Sequence, residues 1–221
     1  MDREILESYS NDYKIFYTSE DCGGGSTFGL DFIPAIQSKY RNKKFERCLE
    51  WCSGNGVIGF NLLANEICEK LYLFDKDQTS LDIAANTVKH NNLEDRVKII
   101  RGDTITNLSS ENKFDLIVAN PPHWNNIPYG MRGVPSRIFL DLDWKIHNDF
   151  FSNIKKNLKP EGVIFLQESV WASSPETFYS VIDKNNLYIN SSFQVPTENS
   201  YYQTYFIEIK HNLLHKIIRR N

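Results

Sequence analysis

The sequence is short of most features that would set it apart from an ordinary globular chain. Cysteine is scarce, with four in 221 residues, too few for a disulfide framework at this length. Cys48 and Cys52 lie four apart on what reads as one strand, facing the same way, and are expected to be core thiols. A zinc site would need a second ligand pair at suitable spacing, and none is found, so no metal is expected. His211 and His215 share that spacing but have no obvious acidic or thiol partner and read as surface residues. No apolar run approaches the roughly 18–20 residues that cross a bilayer. The start, Met1-Asp2-Arg3-Glu4-Ile5-Leu6-Glu7, lacks the basic and apolar stretches of a signal peptide. A cytoplasmic protein with no membrane partner is therefore expected. Positive charge is not in excess: 25 Lys and Arg stand against 28 Asp and Glu, a net charge of −3. That excludes a basic nucleic-acid footprint over the whole surface. No Gly-Lys dipeptide occurs, which excludes a Walker-type nucleotide loop. What is present is 41% hydrophobic and 24% charged residues, the composition of a folded domain.

The first forty-odd residues are mixed in character and carry Cys22-Gly23-Gly24-Gly25-Ser26. From there strands alternate with helices. Strand character is read at 45–52, 71–74, 97–100, 114–119 and 163–166, and helical spacing at 57–69, 80–91, 143–158 and 176–184. The apolar run at 114–119, broken only by Asp115, suits a parallel strand buried on both faces. Lys159-Pro160-Glu161-Gly162 reads as a helix stop. Residues 189–195 and 204–210 read as a closing pair of antiparallel strands. The sum is an α/β chain: a doubly wound, Rossmann-like, seven-stranded and mostly parallel sheet with a C-terminal antiparallel hairpin and helices on both faces. Residues 1–44 are expected to form an N-terminal cap and 45–221 the main domain.

Two segments carry chemistry. The first is Glu50-Trp51-Cys52-Ser53-Gly54-Asn55-Gly56-Val57-Ile58-Gly59, a strand, a glycine turn and a helix. Glycines let the backbone turn tightly and let a ligand approach without a Cβ in the way. Asp75, nineteen residues after Gly56, sits where an acid can bind ribose hydroxyls. This pattern serves any nucleoside cofactor, nicotinamide included. The second segment is Asn120-Pro121-Pro122-His123-Trp124, directly after the 114–119 strand. Two prolines halt pairing and fix a rigid turn at the carboxyl edge, where open α/β sheets bind ligands. They remove backbone donors and leave acceptors, the Asn120 side-chain oxygen and the Pro121 carbonyl, which suit a substrate –NH2.

With these segments in hand, the chain resembles the class I S-adenosylmethionine-dependent methyltransferases, in the branch with an Asn-Pro-Pro-aromatic motif. That branch includes the HemK-like glutamine methyltransferases of release factors and the amino-methyltransferases of adenine and guanine. The resemblance covers about residues 45–210 and rests on Glu50 with the 53–56 turn, Asp75, Gly102-Asp103, Asn120 to His123, and Leu158-Lys159-Pro160-x-Gly162.

The resemblance implies a cofactor site for S-adenosylmethionine, with S-adenosylhomocysteine as product. Glu50, Cys52, Ser53, Gly54, Asn55 and Gly56 would lie along its amino acid portion. Asp75 would hold both ribose hydroxyls and Asp103 would accept from the adenine amino group, with Lys76, Thr104 and Asn120 also expected at the cofactor. Phe28 and Gly29, in the Gly24-Gly29 stretch, would cover the methionine end; a plain N-terminal loop is the other reading. Asn120, Pro121, Pro122 and His123 would be catalytic. The family's usual aromatic is His123 here, which can either stack on a planar target or accept the proton released after transfer. Stacking is preferred.

Trp124, Tyr129, Arg132, Trp144, His147 and Glu168 are expected to shape the acceptor pocket, with Met131, Arg137, Asp141 and Asp143 in the same stretch. Only about 44 residues precede the first main strand, whereas release-factor enzymes carry a sizeable helical domain there. The tail from Lys210 has four basic residues and no acids and reads as a solvated end. The expected acceptor is therefore a planar amide or amino nitrogen of a small molecule or peptide. A protein glutamine comes next and RNA third. Outside the class stand a nicotinamide-dependent oxidoreductase and a non-catalytic methyltransferase-like partner. Oligomeric state is not legible.

Overall fold

The computed structural model describes residues 4–18, 27, 29–127, 136–196 and 203–212, without the Arg137 side chain. In chain order the elements are β1 (Ile5–Ser10), β2 (Tyr13–Thr18), α1 (Phe32–Lys39), β3 (Phe45–Trp51), α2 (Val57–Ala64), β4 (Cys68–Asp75), α3 (Gln78–His90), β5 (Val97–Arg101), β6 (Phe114–Ala119), α4 (Ser136–Phe139), α5 (Lys145–Asn153), β7 (Leu158–Ser169), α6 (Pro175–Lys184), β8 (Leu187–Phe193) and β9 (Thr204–His211). Seven strands make one sheet in the order β5-β4-β3-β6-β7-β9-β8, and β1 pairs with β2 separately. β3 with β4, and β4 with β5, are parallel. β9 is antiparallel to both β7 and β8. The described residues of 1–103 and 114–118 form one compact unit, and those of 104–113 and 119–212 a second.

In the first unit the strand order reverses between β3 and β6. Carboxyl ends at such a switch are where open α/β sheets take their ligands. Leu116 to Ala119 of β6 are fully buried, which is why that run reads as continuous hydrophobicity. α2 is buried along Val57 to Leu63, so its sequence shows no polar face. α3 starts at Asp77, whose carboxylate accepts the Thr79 N–H at 3.1 Å, and ends in Lys89 and His90. An acid at the start and bases at the end suit the helix dipole. The β1–β2 hairpin turns on Asn11-Asp12, with Asn11 at φ +48°, a conformation asparagine tolerates in two-residue hairpins. It rests on α3, where Phe16 N–H reaches Thr87 Oγ1 at 2.9 Å and Lys14 N–H reaches Asn91 Oδ1 at 3.0 Å.

In the second unit α6 opens with Ser174 as cap and Pro175 in its first turn, the position proline tolerates best. Phe165 and Phe206, on paired strands, and Phe150, Phe151 and Phe178, on helices, are buried.

Several sequence expectations need correction. Cys52 is not on the strand: β3 ends at Trp51 and Cys52 turns away at φ +55°. Cys48 is buried and instead neighbours Cys68 of β4. The helix read over 57–69 ends at Ala64, because β4 begins at Cys68. The helix read over 143–158 is a 3₁₀ turn at Leu142–Trp144, then α5, then a 3₁₀ turn at Ile154–Lys156. Lys159-Pro160-Glu161-Gly162 lies inside β7, before its pairing with β9 begins at Val163. The first 44 residues hold a hairpin and a helix that their composition did not announce.

Candidate active site

The glycine turn is built by two carboxylates. Glu50, the next-to-last residue of β3, is 1% exposed, and its Oε2 accepts the Gly59 N–H at 2.7 Å. Burial pushes its carboxyl up to about 8, against the pull of the Gly59 N–H and with help from the nearby Asp75 charge. Asp75 closes β4. Its Oδ2 accepts the Gly54 N–H at 2.7 Å and its Oδ1 the Asp77 N–H at 2.9 Å. Burial raises its pKa, and these backbone donors restrain the rise. A carboxylate has about four lone-pair positions, and the Gly54, Asp77 and Lys76 N–H groups draw on it, which leaves acceptor capacity for a hydroxyl.

The three glycines differ in purpose. A Cβ on Gly56 would meet Leu73 at 2.6 Å and one on Gly59 would meet Leu71 at 2.5 Å, so both are required by close packing. Gly54 stands at φ +50° with nothing within 4 Å of where its Cβ would be. Beside it the Ser53 Oγ is buried and finds no hydrogen-bond partner among the described residues. An open backbone face, an unsatisfied buried hydroxyl and a carboxylate with spare acceptors fit a nucleoside cofactor. Asn55, by contrast, is buried and occupied: its Oδ1 accepts the Thr18 N–H at 3.0 Å and its Nδ2 donates to the Ser80 carbonyl at 3.3 Å. A Cβ on Gly29 would strike Ile58 of α2 at 2.4 Å, so Gly29 is a packing residue. Lys76 and Asp103 are exposed.

In the second unit the Asn120 motif is a rigid rim. Pro121 and Pro122 are buried, while Asn120 and His123 are half-buried. The Asn120 side chain takes no hydrogen bond from the described residues. Trp124 N–H donates to the Phe139 carbonyl at 2.8 Å and the Trp124 carbonyl accepts the Asp141 N–H at 2.8 Å, which ties His123 to the segment entering α5. Thr104 spends its hydroxyl locally, on Thr106 at 2.5 Å.

His147 and Glu168 are fully buried rather than pocket-facing. His147 Nδ1 lies 2.6 Å from Asp141 Oδ2, and its Nε2 lies 2.8 Å from Glu168 Oε1. The other Glu168 oxygen, Oε2, lies 3.2 Å from His123 Nδ1 and also accepts from Ser173 Oγ at 3.3 Å. Ser173 in turn pairs with the Tyr205 hydroxyl at 2.9 Å. Burial alone would lower His147, but the Glu168 charge and the Asp141 bond lift it to about 9. Burial alone would raise Glu168, but the His147 charge holds it below the usual range. Asp141 also accepts the Ile146 and His147 N–H groups at 2.8 and 3.1 Å. The His147 ring stacks on Phe178 at 4.6 Å, and Trp144 packs edge-on to Phe178 at 5.1 Å, so Trp144 is half-buried packing. Ser173 and Tyr205 were not legible as members of this cluster, since a Ser and a Tyr on separate elements give no spacing signal. Phe28, Tyr129, Met131, Arg132, the Gly24-Gly25-Ser26 stretch and the basic tail beyond Asn212 lie outside the described residues.

The methyltransferase small domain family matches residues 32–171, more than half of the chain. The chain is 31% identical over 96 residues to a release factor glutamine methyltransferase from Clostridium botulinum, covering 41% of this chain and 32% of that one. It is 38% identical over 77 residues to a ribosomal protein uL3 glutamine methyltransferase from Francisella tularensis, covering 34% and 24%. The chain thus spans about a quarter to a third of these relatives' length. A crystal structure of an S-adenosylmethionine-dependent methyltransferase from Clostridium acetobutylicum superposes with a TM-score of 0.59 at 14% identity, over 83% of this chain and 90% of that one, and shares the fold. The chain belongs to the methyltransferase small domain family.

Proposed function

We propose that this chain methylates the side-chain amide nitrogen of a glutamine in a protein. The observation that carries the reading is Asn120: a half-buried amide with no partner among the described residues, held between β6 and two buried prolines. Two relatives named as glutamine methyltransferases support a protein acceptor over the small molecule that the sequence ranked first. S-adenosylmethionine supplies, when bound, a methyl group on a cationic sulfur. In this reading Asp75 accepts both ribose hydroxyls, Asp103 the adenine amino group, and Gly54, Ser53 and Glu50 line the amino acid end.

An amide nitrogen is a poor nucleophile because its lone pair is delocalised. Acceptors at Asn120 Oδ1 and the Pro121 carbonyl would hold its N–H groups and turn the lone pair toward the methyl. Alignment of this kind is worth about 7–11 kcal/mol in well-oriented systems. A substrate lacking the –NH2 would leave these acceptors unpaired once it covers them, at about 1–3 kcal/mol each. The test is transfer from radiolabelled S-adenosylmethionine to unmethylated release factor and ribosomal protein uL3, with the modified residue located by mass spectrometry. Label on a glutamine is the expected result. Label confined to RNA or to small molecules overturns it.

A further inference from the structure

We propose that Glu168, itself held by His147 and Asp141, fixes His123 as a proton acceptor whose free nitrogen is Nε2, ready for the proton an acceptor nitrogen sheds after methylation. This rests on reading the Asn120 motif as the place where the acceptor amide binds.

The argument begins with donors and acceptors. Glu168 Oε2 faces His123 Nδ1 at 3.2 Å, and an ionised carboxylate only accepts. His123 Nδ1 therefore carries a hydrogen, and in the neutral ring the lone pair is on Nε2. No described residue bonds to that Nε2. His147 faces carboxylate oxygens with both ring nitrogens, at 2.6 and 2.8 Å, so both nitrogens must donate and the ring is an imidazolium.

The charges behind His123 are then Asp141 negative, His147 positive and Glu168 negative. Ser173 and the Tyr205 hydroxyl, which burial keeps protonated, back Glu168 as neutral groups. One net negative charge is left facing His123 Nδ1, and a proton arriving at Nε2 balances it. Of the four side chains Asp141, His147, Glu168 and His123, His123 alone is partly exposed, at 19%, while the other three are at most 1% exposed. A stacking role needs no fixed tautomer and no buried charges, and burying charges is costly. An orienting carboxylate behind an imidazole is the arrangement that fixes a tautomer and stabilises the protonated ring. In the step itself the acceptor nitrogen forms its bond to the methyl carbon as the sulfur–methyl bond breaks. That bond's electron pair stays on sulfur, and the extra proton on nitrogen passes to His123 Nε2 and then to solvent. Glu168, His147 and Asp141 are positioning residues; His123 is the group that touches the proton.

The tautomers can be read in the free protein, without cofactor or acceptor, by ¹⁵N NMR of histidine-labelled chain across pH 5 to 10. The expected result is His147 protonated on both nitrogens at neutral pH and neutral His123 protonated on Nδ1. Neutral His123 protonated on Nε2, or a neutral His147 at pH 7, overturns the proposal. Glu168→Gln, which can donate as well as accept, should mix the His123 tautomers. If that variant does not fold, Asp141→Asn replaces it and should release the second His147 proton at lower pH. With a glutamine acceptor, His123→Asn should lower kcat by about 10²–10⁴-fold, with S-adenosylhomocysteine affinity unchanged. His123→Phe with wild-type kcat and pH profile supports stacking and overturns the proposal. Absence of any glutamine methylation by the wild type defeats the proposed function instead, and the NMR result still decides the tautomers.

Discussion

Oε2 of Glu50 and the backbone N–H of Gly59 meet at 2.7 Å with both residues buried. This single bond joins the end of β3 to the body of α2 and sets the width of the glycine turn. It also traps an ionisable group where water cannot reach it.

The trapped group makes stability depend on pH in an unusual direction for a carboxylate. Glu50 ionises near its ordinary value of 4.5 when unfolded and near 8 when folded. Between those values the folded chain holds one more proton than the unfolded chain, so stability falls as pH rises through the window. The slope is about 1.4 kcal/mol per pH unit. Glu50→Gln keeps an oxygen for the Gly59 N–H and removes the ionisation. Urea unfolding should find the variant more stable than wild type at pH 8, by on the order of a few kcal/mol, with the difference closing near pH 4.5. An unchanged difference at both pH values would mean that Glu50 is charged in the folded chain.

His147 acts in the same direction over a higher window. Its folded value near 9 stands above its ordinary 6.5. The stabilisation is complete below pH 6.5 and is lost as pH rises through 9. In the Glu50→Gln background, where the lower window is silent, unfolding at pH 6, 8 and 9.5 should still show a decline, and Asp141→Asn should shrink it. A flat profile in that background would contradict a charged His147.

The glycines separate packing from binding. Gly59→Ala would set a methyl 2.5 Å from Leu71 and 2.6 Å from Glu50 Oε2, and overpacking of that kind costs about 1–3 kcal/mol. Gly54→Ala meets open space and pays only for its left-handed backbone, about 1–2 kcal/mol. Its methyl would project onto the face proposed for the cofactor. Calorimetry with S-adenosylhomocysteine should therefore show a large affinity loss for Gly54→Ala, beside a modest change in melting temperature. The opposite pattern, full affinity with Ala at 54, removes that face from the site.

What the sequence made legible, and what it hid, follows from range. β6 was readable to the residue because an apolar run is bounded by Lys113 on one side and Asn120-Pro121 on the other. Asp75 was readable as the end of β4 because the glycine turn fixes its spacing. Pro160 misleads because proline and glycine stop a helix but here lie near the start of a strand. The β1–β2 hairpin was missed although Asn11-Asp12 is a fair two-residue turn signal. His147 and Glu168 looked like pocket residues because charged side chains normally seek water. Only the fold reveals that residues 21 apart satisfy each other in the interior. That kind of long-range pairing carries no periodicity and leaves no local trace.

Asp75 and Asn120 should fail in different ways, and the contrast tests the whole division of labour. Asp75→Ala removes the acceptor of the Gly54 N–H together with the two acceptors proposed for ribose. Hydrogen bonds to a charged group are worth about 1.5–3 kcal/mol each, so S-adenosylhomocysteine affinity should fall by about 10²-fold or more. Asn120→Ala touches no hydrogen bond among the described residues and should leave melting temperature unchanged and that affinity within about twofold of wild type. Its loss should appear in kcat, because an acceptor amide missing one of its two partners is misaligned at the moment of transfer. The measurement is a pair of titrations and a pair of kcat values on the same two variants. A crossed result, with Asn120→Ala losing product affinity and Asp75→Ala retaining it, would place the cofactor on the Asn120 side and reverse the assignment of the two sites.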